Sequence, residues 1–97
     1  MDLKDTVVLM SSENYKERFI AEYWQTKIRY EKLKNFNNKI EASQRVRYQC
    51  NSSKVVLVEP NHDCPAEMLC EQQRIMGEYL HILEVRAEIE GIDLWKN

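Results

Sequence analysis

The chain has 97 residues, 43 % of them hydrophobic and 31 % charged, with a net charge of −2. That length fits one small domain, and the mixture of charged and apolar side chains excludes a disordered chain. No apolar run approaches the roughly 20 residues that a membrane span needs, and the negative balance argues against a binder of long nucleic acid.

Two Gly and two Pro favour long regular elements over a loop-rich fold. Residues 3–10, LKDTVVLM, form a short predicted helix with Leu3, Val7 and Met10 on one face. It is expected to fold back as a lid on the end of a helical hairpin or on a neighbouring subunit. The MDLKDTVVLM start lacks a basic region followed by an apolar core, so no signal peptide is expected.

Residues 14–42 are the predicted first long helix. Phe19, Tyr23, Tyr30, Leu33 and Ile40, with Thr26 and Asn37, fall at the alternating four-three spacing of a coiled-coil-like seam. Asn14 is the expected N-cap, and Glu17 completes a capping-box pattern. A second face carries Ile20, Trp24 and Ile28. It predicts contact with a third helix, expected from another copy of the chain.

Residues 45–59 alternate Val46, Tyr48 and Cys50 with polar residues, pass through Asn51-Ser52-Ser53-Lys54 and continue as Val55-Val56-Leu57-Val58. Turn chemistry between β-branched runs predicts a small β-hairpin insertion. Residues 64–90 are the predicted second long helix, with Pro65 at its first position and Gly91 as its stop. Met76, Leu80, Leu83 and Ala87 form one stripe on it; Met68, Ile75, Ile82 and Ile89 form a second. One partner helix cannot cover both, which predicts a homo-oligomer, a dimer or larger. Residues 91–97 form an apolar tail expected to dock. The predicted fold is mainly α: one domain, an antiparallel two-helix hairpin with a short N-terminal helix and the β-hairpin insertion.

Charge is unevenly spread. Residues 14–40 hold seven cations against three acids, and residues 65–93 hold only Arg74 and Arg86 against seven acids. The two helices can simply complement each other, which fixes orientation more than stability. Alternatively, the first helix offers a cationic, aromatic surface to an anionic ligand. Aromatic faces stack bases while Arg and Lys hold phosphates. Spacing alone assigns Phe19, Tyr23 and Tyr30 to the core. Tyr15, Arg18, Lys27 and Arg29 are the candidate ligand residues, with Arg74 or Arg86 contributed across a subunit interface.

No metal or cofactor is expected. His62, Cys64 and Cys70, with Cys50, lack the paired spacing of structural zinc. Three Cys, an odd number, suit a reducing cytosol, which makes the sequon at 51–53 accidental. No triad, nucleophile elbow or Gly-rich phosphate loop is present, so no enzyme is expected.

DTVVLM, NYKERFIAEYWQTKIRYEKL and CPAEMLCEQQRIMGEYLHILEVRAEIEGIDL resemble small phage and prophage proteins of gut Clostridia, a crAss-phage-related family. The middle, residues 42–60, departs from the shorter linker of that family. In architecture these proteins are similar to helical-hairpin phage proteins that counter CBASS and Thoeris immunity. That resemblance implies an oligomeric sponge in the host cytosol that sequesters a cyclic oligonucleotide or cyclic ADP-ribose isomer without cleaving it. The alternatives are an anti-CRISPR-like inhibitor whose acidic helix occupies a nucleic-acid site, and a structural accessory protein.

Overall fold

The computed structural model describes residues 1–48 and 57–95. Three helices follow in order: α1 (Leu3–Met10), α2 (Tyr15–Tyr48) and α3 (Ala66–Glu90). α2 is the spine. Its 34 residues would span about 51 Å, close to the 57 Å length of the molecule. α3 packs antiparallel along it, and α1 lies on it separately; α1 and α3 do not pack on each other.

The seam is built as its spacing dictates. Phe19, Tyr23, Thr26, Asn37 and Ile40 of α2 are buried, with Tyr30 and Leu33 half-buried. Leu80, Leu83 and Ala87 face them from α3. Tyr23 is fully enclosed, and its hydroxyl donates to Glu84 at 2.6 Å. Burial and that bond to a carboxylate push its pKa far up, so it stays a donor. Asn37 sits in the same seam and donates to the Leu69 carbonyl at 3.1 Å and to Gln73 at 2.9 Å. Such a buried amide favours one register of two helices over its neighbours. A Cβ on Gly77 would stand 3.3 Å from the Tyr30 ring, so glycine here lets the helices approach closely.

The helix ends depart in part from expectation. Asp2 and Asp5 form the capping box of α1. Asn14 caps α2 by accepting from the Lys16 amide at 3.0 Å. Glu17 does not close the box with it; its carboxylate accepts instead from the Ser12 hydroxyl at 2.8 Å, and Ser12 accepts from the Asn14 amide. α3 begins at Ala66, with Pro65 as the cap residue, and ends at Gly91 with φ 69°, the left-handed conformation that glycine adopts without strain.

α2 also runs past its predicted end at 42. Residues 45–48, expected as the first strand of a β-hairpin, are helical. The alternation of Val46 and Tyr48 competed with helical chemistry and lost. Arg45 pairs with Glu41 one turn back at 2.8 Å, and Arg45 and Arg47 lie at the negative helix end. Residues 57–60 carry no regular structure, and the remainder of the expected hairpin, 49–56, lies outside the described residues.

On the second face of α2, within one chain, Trp24 is met by the tail, and the neighbouring Gln25 by α1. Gln25 donates to the buried Thr6 hydroxyl of α1 at 3.0 Å. Trp24 donates to the Leu94 carbonyl of the tail at 2.8 Å, and Trp95 meets Trp24 edge-on. Ile92 and Leu94 are buried, so the apolar tail docks as expected. The second stripe of α3 is left open: Met68, Ile75, Ile82 and Ile89 are all exposed.

A candidate anion-binding cleft at the start of the spine

The loop between α1 and α2 sets up a cleft where the start of α2 meets the end of α3. Its volume is about 370 Å³, and Met10, Tyr15, Arg18, Phe19, Glu22 and Arg86 line it. Tyr15, Arg18 and Glu22 repeat at helical spacing and share one face of α2. The first turns of a helix carry partial positive charge, which adds to the two guanidinium groups.

Each group is held. The Arg18 Nη1 donates to the Ser12 carbonyl at 2.7 Å. The Arg86 guanidinium lies 4.9 Å over the Phe19 ring, and its Nε donates to Glu90 at 2.8 Å. The Tyr15 hydroxyl donates to the same carboxylate at 3.2 Å, and Lys16 reaches the Glu90 carbonyl at 3.3 Å. The Arg86 bond holds the Glu90 carboxyl below its ordinary pKa, while Glu90 raises those of Tyr15 and Arg86. Glu22 accepts from the Tyr79 hydroxyl at 2.7 Å, which raises the Tyr79 pKa. The cleft therefore presents two guanidinium groups, a phenol whose proton is engaged by Glu90, an aromatic wall and the Glu22 side chain.

Three of the six residues singled out in the sequence, Tyr15, Arg18 and Arg86, meet here. Arg86 belongs to the same chain as the other two, so within one subunit it reaches the cleft without crossing an interface. The other three do not line the cleft. Lys27 pairs with Glu31 at 3.3 Å and lies 5.9 Å from the centre of the Tyr30 ring. Arg29 is exposed and donates to its own helix at the Gln25 carbonyl. Arg74 pairs with Glu78 at 3.0 Å, about 18 Å along α3 from Arg86. Met10, Phe19 and Glu22 were not legible as site residues: Phe19 reads as core, and the position of Met10 depends on how α1 folds back.

A larger depression of about 510 Å³ at the tail has Glu84, Glu88 and Asp93 among its lining residues and no cation. Its charge has the wrong sign for a phosphate. Among the described residues no group of three or more His, Cys, Asp and Glu could hold a metal ion. His62 is engaged with the Cys64 carbonyl and Glu59, and Cys64 and Cys70 are exposed free thiols. No described helix is long and apolar enough to cross a membrane.

A family model described as Sequestin matches residues 13–89, most of the chain. The chain belongs to the Sequestin family. The Sequestin match takes in both helices of the hairpin and the α2 and α3 residues of the cleft; α1 lies before it. The family name denotes sequestering a molecule, in keeping with a sponge. No curated protein and no solved structure matches the chain.

Proposed function

We propose that this Sequestin is a phage anti-defence sponge that binds a nucleotide-derived immune messenger in the bacterial cytosol and holds it without cleaving it. The messenger is a cyclic oligonucleotide or a cyclic ADP-ribose isomer. The observation that carries this reading is the convergence of Arg18, Arg86 and Tyr15 on one cleft at the positive end of α2. Guanidinium groups fork onto phosphate oxygens, and the exposed Tyr15 ring offers a face for a base. The lining supplies charge and aromatic surface for such a ligand.

A second copy of the chain is part of the proposal. The cleft is near the lower limit of ligand sites and open to solvent, so a subunit laid across it would enclose more of the messenger. The open stripe of α3, with Tyr79 and Val85, exposes roughly 600 Å² of apolar surface; a symmetric pair would bury about 1,200 Å², the lower edge of a stable interface. Ile82→Glu is expected to convert the oligomer into a folded monomer in light scattering. A wild type that is monomeric at micromolar concentration would remove this part of the proposal.

The test of the central proposal is to incubate the pure protein with cyclic dinucleotides and cyclic ADP-ribose isomers, remove free ligand, and release bound ligand by heat. One panel member is expected back intact. Failure to retain any of them counts against the messenger; recovery of a cleaved product counts against the sponge.

The acidic depression with Glu84, Glu88 and Asp93 favours one other reading, an inhibitor that covers a basic nucleic-acid-binding surface. Glu88→Lys together with Asp93→Lys would abolish that activity and leave messenger binding unchanged.

A further inference from the structure

Opposite charges four residues apart on a helix stand side by side and close into ion pairs. Five such spacings occur on the three helices, at 18/22, 27/31, 41/45, 74/78 and 86/90. Four are closed, at 3.3 Å for Lys27–Glu31, 2.8 Å for Arg45–Glu41, 3.0 Å for Arg74–Glu78 and 2.8 Å for Arg86–Glu90. The fifth, Arg18 and Glu22, is open, and it is the pair whose two members both line the cleft. Arg18 is drawn one way by the Ser12 carbonyl, and Glu22 the other way by the Tyr79 hydroxyl.

A cleft meant only for phosphate gains nothing from a carboxylate in its wall, because like charge repels the ligand. An ionised carboxylate is acceptor-only, so it suits a ligand that presents hydroxyl donors beside its phosphate. Four residues, about 6 Å of rise, separate Arg18 from Glu22 along the axis. That is comparable with the span from a nucleotide's 5′-phosphate to its ribose hydroxyls. An acidic side chain that accepts from ribose hydroxyls is a recurring device in dinucleotide sites.

We propose that Glu22 is the specificity-determining residue of the cleft, accepting the hydroxyls of a ribose whose phosphate rests on Arg18 and Arg86. This rests on the anion-binding reading of the cleft. Tyr79 is a positioning residue: its hydroxyl keeps Glu22 off Arg18, so that both charges remain free for the ligand. The site thereby rejects bare polyanions, which are abundant in cytosol, and admits nucleotides with unblocked hydroxyls.

The test is calorimetry with ADP, 2′,3′-dideoxy-ADP and inorganic pyrophosphate. Wild type is expected to bind ADP about tenfold more tightly than the dideoxy analogue, the worth of a hydrogen bond to a charged acceptor. Glu22→Ala should bring the two within about twofold and strengthen pyrophosphate binding, because the repelling charge has gone. Glu22→Gln keeps an acceptor for Tyr79 and is the control should alanine unfold the helix end. Tyr79→Phe frees Glu22 to close on Arg18 and should weaken all three probes while helicity by circular dichroism is unchanged. Equal binding of ADP and its dideoxy analogue by wild type, or a tenfold preference that survives Glu22→Ala, overturns the role of Glu22 and leaves the anion cleft standing. Binding of none of the probes by wild type overturns the anion cleft, and this inference with it.

Discussion

Leu83 and Ile82 are neighbours on α3 with similar side-chain volumes, but one is 1 % exposed and the other 54 %. Truncating each to alanine separates what the seam contributes from what the open stripe contributes. Leu83 packs in the cluster of Phe19, Tyr23, Leu80 and Ala87. Leu83→Ala loses about 2 kcal/mol of transfer energy plus a cavity term, together roughly 3–4 kcal/mol. For a domain of this size that lowers Tm by roughly 15–25 °C. Ile82→Ala removes surface that is already half in water and leaves no cavity, so its cost within one subunit is below about 1 kcal/mol. The assay is thermal and urea unfolding by circular dichroism at two protein concentrations tenfold apart. Leu83→Ala should lose the same stability at both concentrations. Ile82→Ala should lose most where association matters, because a partner that binds only the folded form stabilises it by mass action. Equal losses for the two variants would refute the assignment of the seam face.

Arg18→Ala should weaken messenger binding about tenfold to hundredfold, whereas Lys27→Ala and Arg29→Glu, outside the cleft, should leave it within about twofold; calorimetry on the four proteins decides it. The His62 pKa is raised, first by its bond to the Cys64 carbonyl, against the opposing effect of burial and with support from Glu59. The protonated form is therefore the stabilised one: its contribution is complete below the ordinary value of 6.5 and is lost as pH rises through the higher folded value. The urea midpoint should fall over that window in wild type and less in His62→Ala, and identical slopes would remove His62 from the account. Gly91→Ala forces a side chain into left-handed backbone at the end of α3 and should cost about 1 kcal/mol, read as a lower Tm.

The seam was legible in the sequence because burial leaves a spacing. Phe19, Tyr23, Thr26, Tyr30, Leu33, Asn37 and Ile40 recur every three or four residues, and no other element imposes a competing period on them. The two stripes of α3 were equally plain, but which one faced α2 was not, since both are apolar and only packing chooses. Residues 45–48 misled because three alternating positions are too few to separate a strand from a helix that is already 30 residues long. On the second face of α2, Trp24 and Gln25 meet the chain's own tail and α1, contacts made over 70 and 19 residues that no local pattern encodes. At the cleft, Tyr15 and Arg18 are legible as an aromatic and a cation interleaved on one helix, and Arg86 as one of two cations among acids. Glu22 was hidden, because a Glu four residues after an Arg reads as an ordinary ion pair. Its separation from Arg18 depends on Tyr79, 57 residues away.

The two tryptophans of the chain, Trp24 and Trp95, stand 5.2 Å apart and nearly perpendicular, beside the enclosed Tyr23. Every indole chromophore therefore sits in one place, at the junction of the tail with the hairpin. Intrinsic fluorescence of this protein is a local probe that reports release of residues 92–95, not loss of helix. Emission and far-ultraviolet ellipticity should give separate melting curves whenever the tail detaches before the hairpin opens. A spectroscopist who follows emission alone would be timing the unlatching of a door and recording it as the collapse of the house.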